Sequence, residues 1–237
     1  MLAQKILTKL QNLFLKIRLF FYRHLELPAQ IGRERSMYLD ILRSFKGRSL
    51  KIFEWGSGYS TIYYSKWLKC HGFSFLWHAL DNHGDWVNRV RERVNKHQLP
   101  DHVKIHLKEF PPFWEKPGWD WNKIPPPAGV FSPKLQAEQD YINYPISLGE
   151  KFDIIFIDAR FRRHCLKTAL TMVKEDGVVI MHDAQKTHYH QGTETFAFNK
   201  FYVTGSWYPF QHKPNQVWVG SKTNKEVFNL IRRYESL

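Results

Sequence analysis

Leu50-Lys51-Ile52-Phe53-Glu54-Trp55-Gly56-Ser57-Gly58-Tyr59-Ser60-Thr61 is the stretch that decides how this chain folds. Its first half ends a short apolar run at Ile52 and Phe53, which reads as a buried strand. An acid follows at Glu54, then glycines at 56 and 58, then a helix beginning near Ser60. Glycines at a strand-to-helix turn permit a tight backbone bend and let a ligand approach where a Cβ would stand. The new helix points unpaired N–H groups into the same space. Open α/β folds hold nucleotide-like cofactors in this way. A dinucleotide fingerprint would need Gly or Ala at position 61, where Thr61 stands, and no Gly-Lys-Ser/Thr phosphate loop occurs.

Outward from this turn the chain alternates strand and helix. Helix patterns cover Thr61–Lys69 and Trp86–His97, and strand patterns cover Phe75–Leu80 and Val103–Leu107. Phe152–Asp158 is the most strongly apolar strand pattern, unbroken and rich in β-branched and aromatic residues. Gly177–Asp183 repeats its design as a fifth strand. Helices at Pro133–Tyr144 and Arg163–Val173 flank the fourth strand. Lys200–Thr204 and Gln216–Ser221 read as a closing antiparallel pair, with a basic helix at Asn224–Tyr234. The fold class predicted is α/β: a doubly wound, mostly parallel seven-stranded sheet with helices on both faces, an antiparallel last strand and extra N-terminal helices.

Glu54, Asp81, Asp158 and Asp183 all fall at the carboxyl ends of predicted strands, where ligands bind in open α/β sheets. Asp81 comes 23 positions after Gly58. The pattern acid-x-Gly-x-Gly-x-Ser at 54–60, with these acids, resembles the class I S-adenosylmethionine-dependent methyltransferases of Rossmann-like fold, over about residues 48 to 222. The likeness is greatest to those whose first motif ends in Ser or Thr, whose fourth strand reads Phe-Asp-x-x-x-x-Asp-Gly-x-x-Arg and whose fifth ends in His-Asp. Ala159 replaces the Gly of that fourth-strand motif. The resemblance implies S-adenosyl-L-methionine as cofactor. It places Gly56, Ser57, Gly58 and Ser60 along the cofactor, Glu54 at its methionine end, Asp81 at the ribose and Asp158 near the methyl group.

Methyl transfer from a sulfonium is an in-line displacement, so alignment supplies much of the rate. An oxygen acceptor also gains from a base. Asp158, His182 and Asp183 form the candidate catalytic set, with His188 and His190 as further base candidates. His182 reads equally well as a structural histidine at a strand end. No metal site is assigned; Asp158 with Asp183 is the weak candidate pair for Mg²⁺, as hard oxygen donors without a visible third ligand. His188-x-His190 lacks the partners of a zinc site. Arg160, Arg162 and Arg163 are candidate anchors for an acidic acceptor, or solvated charges beside the next helix.

The chain has 237 residues, a net charge of +13 and two cysteines. This suits one α/β domain with decoration and gives no disulfide framework. Residues 1–50 hold ten Lys or Arg against three acids, so basic character gathers at the front, away from the site. Residues 2–24 repeat apolar side chains at helical spacing among lysines. Two readings stand: packing on the domain or on a second subunit as a homodimer, and peripheral contact with an anionic membrane surface. A second helix at Ser36–Ser44 is expected to cover the sheet edge. The predicted division is a basic amphipathic helical extension, 1–47, and a Rossmann-like domain, 48–237. Within the latter, residues 110–133 carry seven prolines and three tryptophans, a lid or substrate wall, or an insertion packed over the core edge.

With no signal-peptide pattern and no uncharged run of about 18 residues, a cytoplasmic protein is expected, peripheral at the inner membrane surface if the helix binds lipid. The function expected is O-methylation of a small molecule or glycan. The alternatives are an RNA or DNA methyltransferase and a non-catalytic binding protein of cofactor fold. Nucleic acid is disfavoured because no Asn/Asp-Pro-Pro-Tyr/Phe tetrapeptide occurs.

Overall fold

The computed structural model describes residues 32–109, 136–205 and 215–235, with 13, 17, 20 and 25–30. The tryptophan- and proline-rich stretch 110–133 and most of the front helix lie outside the described residues. Helix α1 (Arg33–Ser44) precedes β1 (Ser49–Trp55), α2 (Tyr59–Cys70), β2 (Ser74–Asp81), α3 (Gly84–Lys96) and β3 (Val103–Leu107). After the stretch outside the description come α4 (Gln136–Ser147), β4 (Phe152–Ile157), α5 (Arg162–Met172), β5 (Val173–Met181), β6 (Phe198–Gly205), β7 (Asn215–Ser221) and α6 (Lys225–Ile231).

The seven strands lie in the order β3-β2-β1-β4-β5-β7-β6. Pairing is parallel from β3 through β5, and β7 runs antiparallel to both β5 and β6. The strand order reverses between β1 and β4, and there the two carboxyl ends open a crevice. β4 is buried at every position, Phe152 to Ile157, because helices cover both faces of the sheet.

Alternate residues of the central strands feed two cores. Ile52, Trp77, Ile154, Phe156 and Ile180 pack with α1, α2 and α3 on one face. Phe53, Trp55, Ile155, Ile157 and Met181 pack with α4 and α5 on the other. Phe156 stacks on Trp77 with ring centroids 5.2 Å apart.

Helix α1 packs against the edge strand β6 and against α6, and its Met37, Tyr38, Ile41 and Leu42 are buried in the core of the first face. One element departs from the sequence reading. β5 begins at Val173, so Gly177 lies within it rather than at its start.

Candidate functional site

Three backbone bonds extend the ladder past the strand ends and set the site's floor. Gly56 N–H donates to the Leu80 carbonyl at 2.8 Å, Asp158 N–H to Trp55 at 2.9 Å, and His182 N–H to Ile157 at 3.1 Å. The residues after β1, β4 and β5 are thereby held side by side. Gly56 has φ +96°, and a Cβ there would lie 2.3 Å from the Asp158 carbonyl oxygen. Both conditions call for glycine.

A cavity of about 370 Å³ opens above this floor. Its lining includes Gly56, Asp81 and Asp158 from the strand ends, and Arg160, Arg163, Lys186 and His188. Asp81 stands at the end of β2. Its Oδ1 accepts from the N–H groups of Asn82 and His83, and Oδ2 from the Ser57 hydroxyl at 3.3 Å. Burial raises its pKa against those hydrogen bonds. Ser57 is fixed in turn, its carbonyl accepting from Trp86 Nε1 at 2.7 Å.

Glu54 and Ser60 meet each other beneath the turn. Glu54 is 1% exposed and accepts from the hydroxyls of Ser60 (2.6 Å) and Thr61 (2.5 Å) and from Trp77 Nε1 (3.1 Å). Burial lifts its pKa to about 8, against the pull of the two hydroxyls. Its work is to tie the first turn of α2 to β1. Gly58 is the N-cap of α2; its N–H donates to the Thr61 hydroxyl at 2.9 Å.

On the far side lies a row of alternating charges. Glu34 of α1 meets His182 Nδ1 at 2.5 Å. His182 Nε2 lies 3.3 Å from Asp183 Oδ1. Arg162 Nη1 lies 3.6 Å from Asp183 Oδ2, and Nη2 donates to Asp158 Oδ1 at 2.9 Å. Burial alone would push the imidazole down, but Glu34, Asp158 and Asp183 outweigh it and raise its pKa to about 10. His182 is thus a buried cation at neutral pH, 7% exposed and not among the cavity's lining residues. A protonated ring has no lone pair to offer, which argues against the role of proton acceptor. His190 bonds the Ala184 carbonyl at 2.7 Å and also stands off the cavity wall. His188 lines the cavity, and burial together with Lys186 holds its pKa below the ordinary value.

Asp158 and Asp183 do stand at neighbouring strand ends, but Arg162 is placed between them. It also donates from Nε to the Ala159 carbonyl at 3.0 Å and from Nη1 to the His182 carbonyl. A dication does not fit between these carboxylates while the guanidinium is there. Among the described residues, no group of three His, Cys, Asp or Glu could hold a metal ion. The local backbone is strained to suit: Phe161, just before α5, and Asp183 both have positive φ, +59° and +54°.

Sequence reasoning missed Glu34, whose partner is 148 residues away. It also missed Tyr141 and Tyr189 on the cavity wall. Arg162 had a local signal, its i, i+4 spacing from Asp158 at a helix start.

A family model described as a methyltransferase domain matches residues 53–184, more than half of the chain. No curated protein matches it. Among solved structures, the O-methyltransferase from Bacillus cereus in complex with SAH superposes with a TM-score of 0.54 at 16% identity, covering 86% of this chain and 88% of that one. A cofactor-bound protein from MTB gives 0.55 at 13%, covering 87% and 88%. The O-methyltransferase TomG from Streptomyces achromogenes, involved in tomaymycin synthesis and solved with SAM, gives 0.50 at 14%, covering 84% of each. At these identities the likeness is one of fold.

Proposed function

This chain belongs to the methyltransferase domain family, and from that premise we propose that it transfers the methyl group of S-adenosylmethionine to an oxygen of a small-molecule or glycan acceptor bearing negative charge. The observation that carries this reading is the convergence of Gly56, Asp81 and Asp158, from three different strand ends, on one cavity. Solved structures of the same fold hold SAH or SAM. Asp81 fits that ligand because a carboxylate fixed by two backbone N–H groups is preorganised to accept from a pair of ribose hydroxyls. Gly56 leaves room for the ligand where a side chain would stand, and Asp158 borders both the cofactor side and the acceptor side.

When bound, S-adenosylmethionine supplies an electrophilic methyl on a sulfonium. The rest is work for this chain's residues. Arg160, Arg163 and Lys186 give the acceptor side an excess of positive charge, which supports an acidic acceptor held through its carboxylate or phosphate. His188, neutral at pH 7, is the residue we assign to take the acceptor hydroxyl's proton. His182 and Arg162 hold Asp158 and Asp183 in place.

Methyl transfer from isotopically labelled S-adenosylmethionine, run against matched acidic and neutral hydroxyl acceptors, tests the proposal. Label appearing in uronic or phosphorylated acceptors, with His188→Ala slowed by about 100-fold or more, supports it. Label only in nitrogen acceptors, or in none, overturns it.

The front of the chain supports a peripheral location. Leu13, Ile17 and Phe20 are helical and about half exposed (55%, 49% and 55%), at a spacing that aligns them on one helix face. With the basic surplus of residues 1–50, this favours an anionic membrane surface over a second subunit. Co-sedimentation of the full chain with phosphatidylglycerol vesicles, lost with phosphatidylcholine, is expected. A vesicle-independent dimer would favour the other occupant. Among the described residues, no helix is long and apolar enough to cross a membrane.

A further inference from the structure

Two carboxylates at adjacent strand ends normally repel, and something must compensate them. A hard dication would do so with oxygen ligands at about 2.0–2.6 Å and at least a third donor. In this chain a side chain does it instead. We infer that the Arg162 guanidinium takes the place of a divalent cation between Asp158 and Asp183, so that the site works without metal. This rests on the same site as the methyl-transfer reading.

The geometry leaves the guanidinium little freedom. Three carbonyl or carboxylate oxygens (Ala159, His182 and Asp158) accept from it. Asp183 lies 3.6 Å away, and the Tyr189 ring covers it with the centroid 5.1 Å from Cζ. The side chain is only 10% exposed, yet Arg162 lines the cavity. It is therefore built in and still faces the ligand space. On the other flank His182 compensates Asp183 Oδ1. A dication entering here would have to expel a buried guanidinium and face an imidazolium.

Two consequences separate this assignment from a merely structural arginine. The acceptor oxygen, as it sheds its proton, meets a fixed positive group that does not depend on any ion in solution. Removing the guanidinium should also uncover a latent metal site, because Asp158, Asp183 and the carbonyl oxygens of Ala159 and His182 would be left as oxygen donors without their shared cation.

Mn²⁺ is the probe, titrated calorimetrically into the full chain without S-adenosylmethionine, so that failure here is distinguishable from failure of the methyl-transfer reading. The wild-type chain is expected to show no site tighter than about 1 mM, and Arg162→Ala to gain one stoichiometric site at least about tenfold tighter. One Mn²⁺ bound by the wild type at micromolar concentration overturns the inference, as does a folded Arg162→Ala chain with no gain. If Arg162→Ala does not fold, the wild-type titration decides, together with methyl transfer after EDTA dialysis. Retained rate agrees; a loss reversed by Mg²⁺ or Mn²⁺ contradicts.

Discussion

At one end of the cavity, Gly56, Ser57 and Asp81 are set by backbone hydrogen bonds and by a glycine that only its own φ and a close carbonyl explain. At the other, Glu34, His182, Asp183, Arg162 and Asp158 alternate in sign through contacts of 2.5 to 3.6 Å. The first end is the more local: Gly56 and Ser57 lie in the turn after β1 and Asp81 at the end of β2, although the carbonyl that demands the glycine belongs to Asp158. The second is assembled from α1, α5 and the ends of β4 and β5, over a span of some 150 residues. The contrast teaches that a binding half can be set largely by two neighbouring strand ends, while a charged half needs the whole fold to compensate it.

Breaking the charged end should do the most damage. Glu34→Ala leaves a buried imidazolium without its nearest carboxylate, and losing one partner of a buried pair costs about 3–5 kcal/mol. Urea unfolding of the variant should show this; a loss below about 1 kcal/mol would mean that water reaches His182. The same network has a pH signature. His182 holds its proton to about pH 10 in the folded chain, whereas a free imidazole loses it near 6.5. Its contribution is whole below about pH 6.5 and drains away as pH rises towards 10. The fall should be flatter in His182→Gln, measured as unfolding free energy across that window.

At the local end, Gly56→Ala meets the Asp158 carbonyl at 2.3 Å in a left-handed backbone. We expect it to cost about 2–4 kcal/mol in unfolding experiments, combining strain of about 1–3 kcal/mol with overpacking. Equal stability to wild type would show that the turn can relax. The smallest effect belongs to Trp86→Phe, which loses the 2.7 Å bond to the Ser57 carbonyl. About 1 kcal/mol is expected, read by the same measurement.

The same division explains what could be read from the sequence. The parallel sheet, its antiparallel closing strand and the placing of Gly56, Asp81 and Asp158 around one crevice follow from periods of two and 3.6 and from the turn after β1. All are short-range signals. Glu34 carries none, since an acid in the first turn of a helix is common and its partner is remote. Arg162 was visible as a cation four positions after Asp158, but its second anion, Asp183, depends on β5 lying beside β4. His182 illustrates the same limit: a histidine at a strand end reads equally as a base or as a structural group until Glu34 is placed against it. Glu54 was legible as part of the turn, but its inward rotamer depends on Trp77, which β2 brings alongside.

Calorimetric titration of S-adenosylhomocysteine into the wild-type chain and into Asp81→Ala tests the central claim most directly. One saturable site is expected in the wild type, weakened in the variant by about 30- to 1000-fold, the equivalent of about 2–4 kcal/mol for two charge-assisted hydrogen bonds. No binding by the wild type up to millimolar ligand, or equal affinity in the two chains, would contradict it.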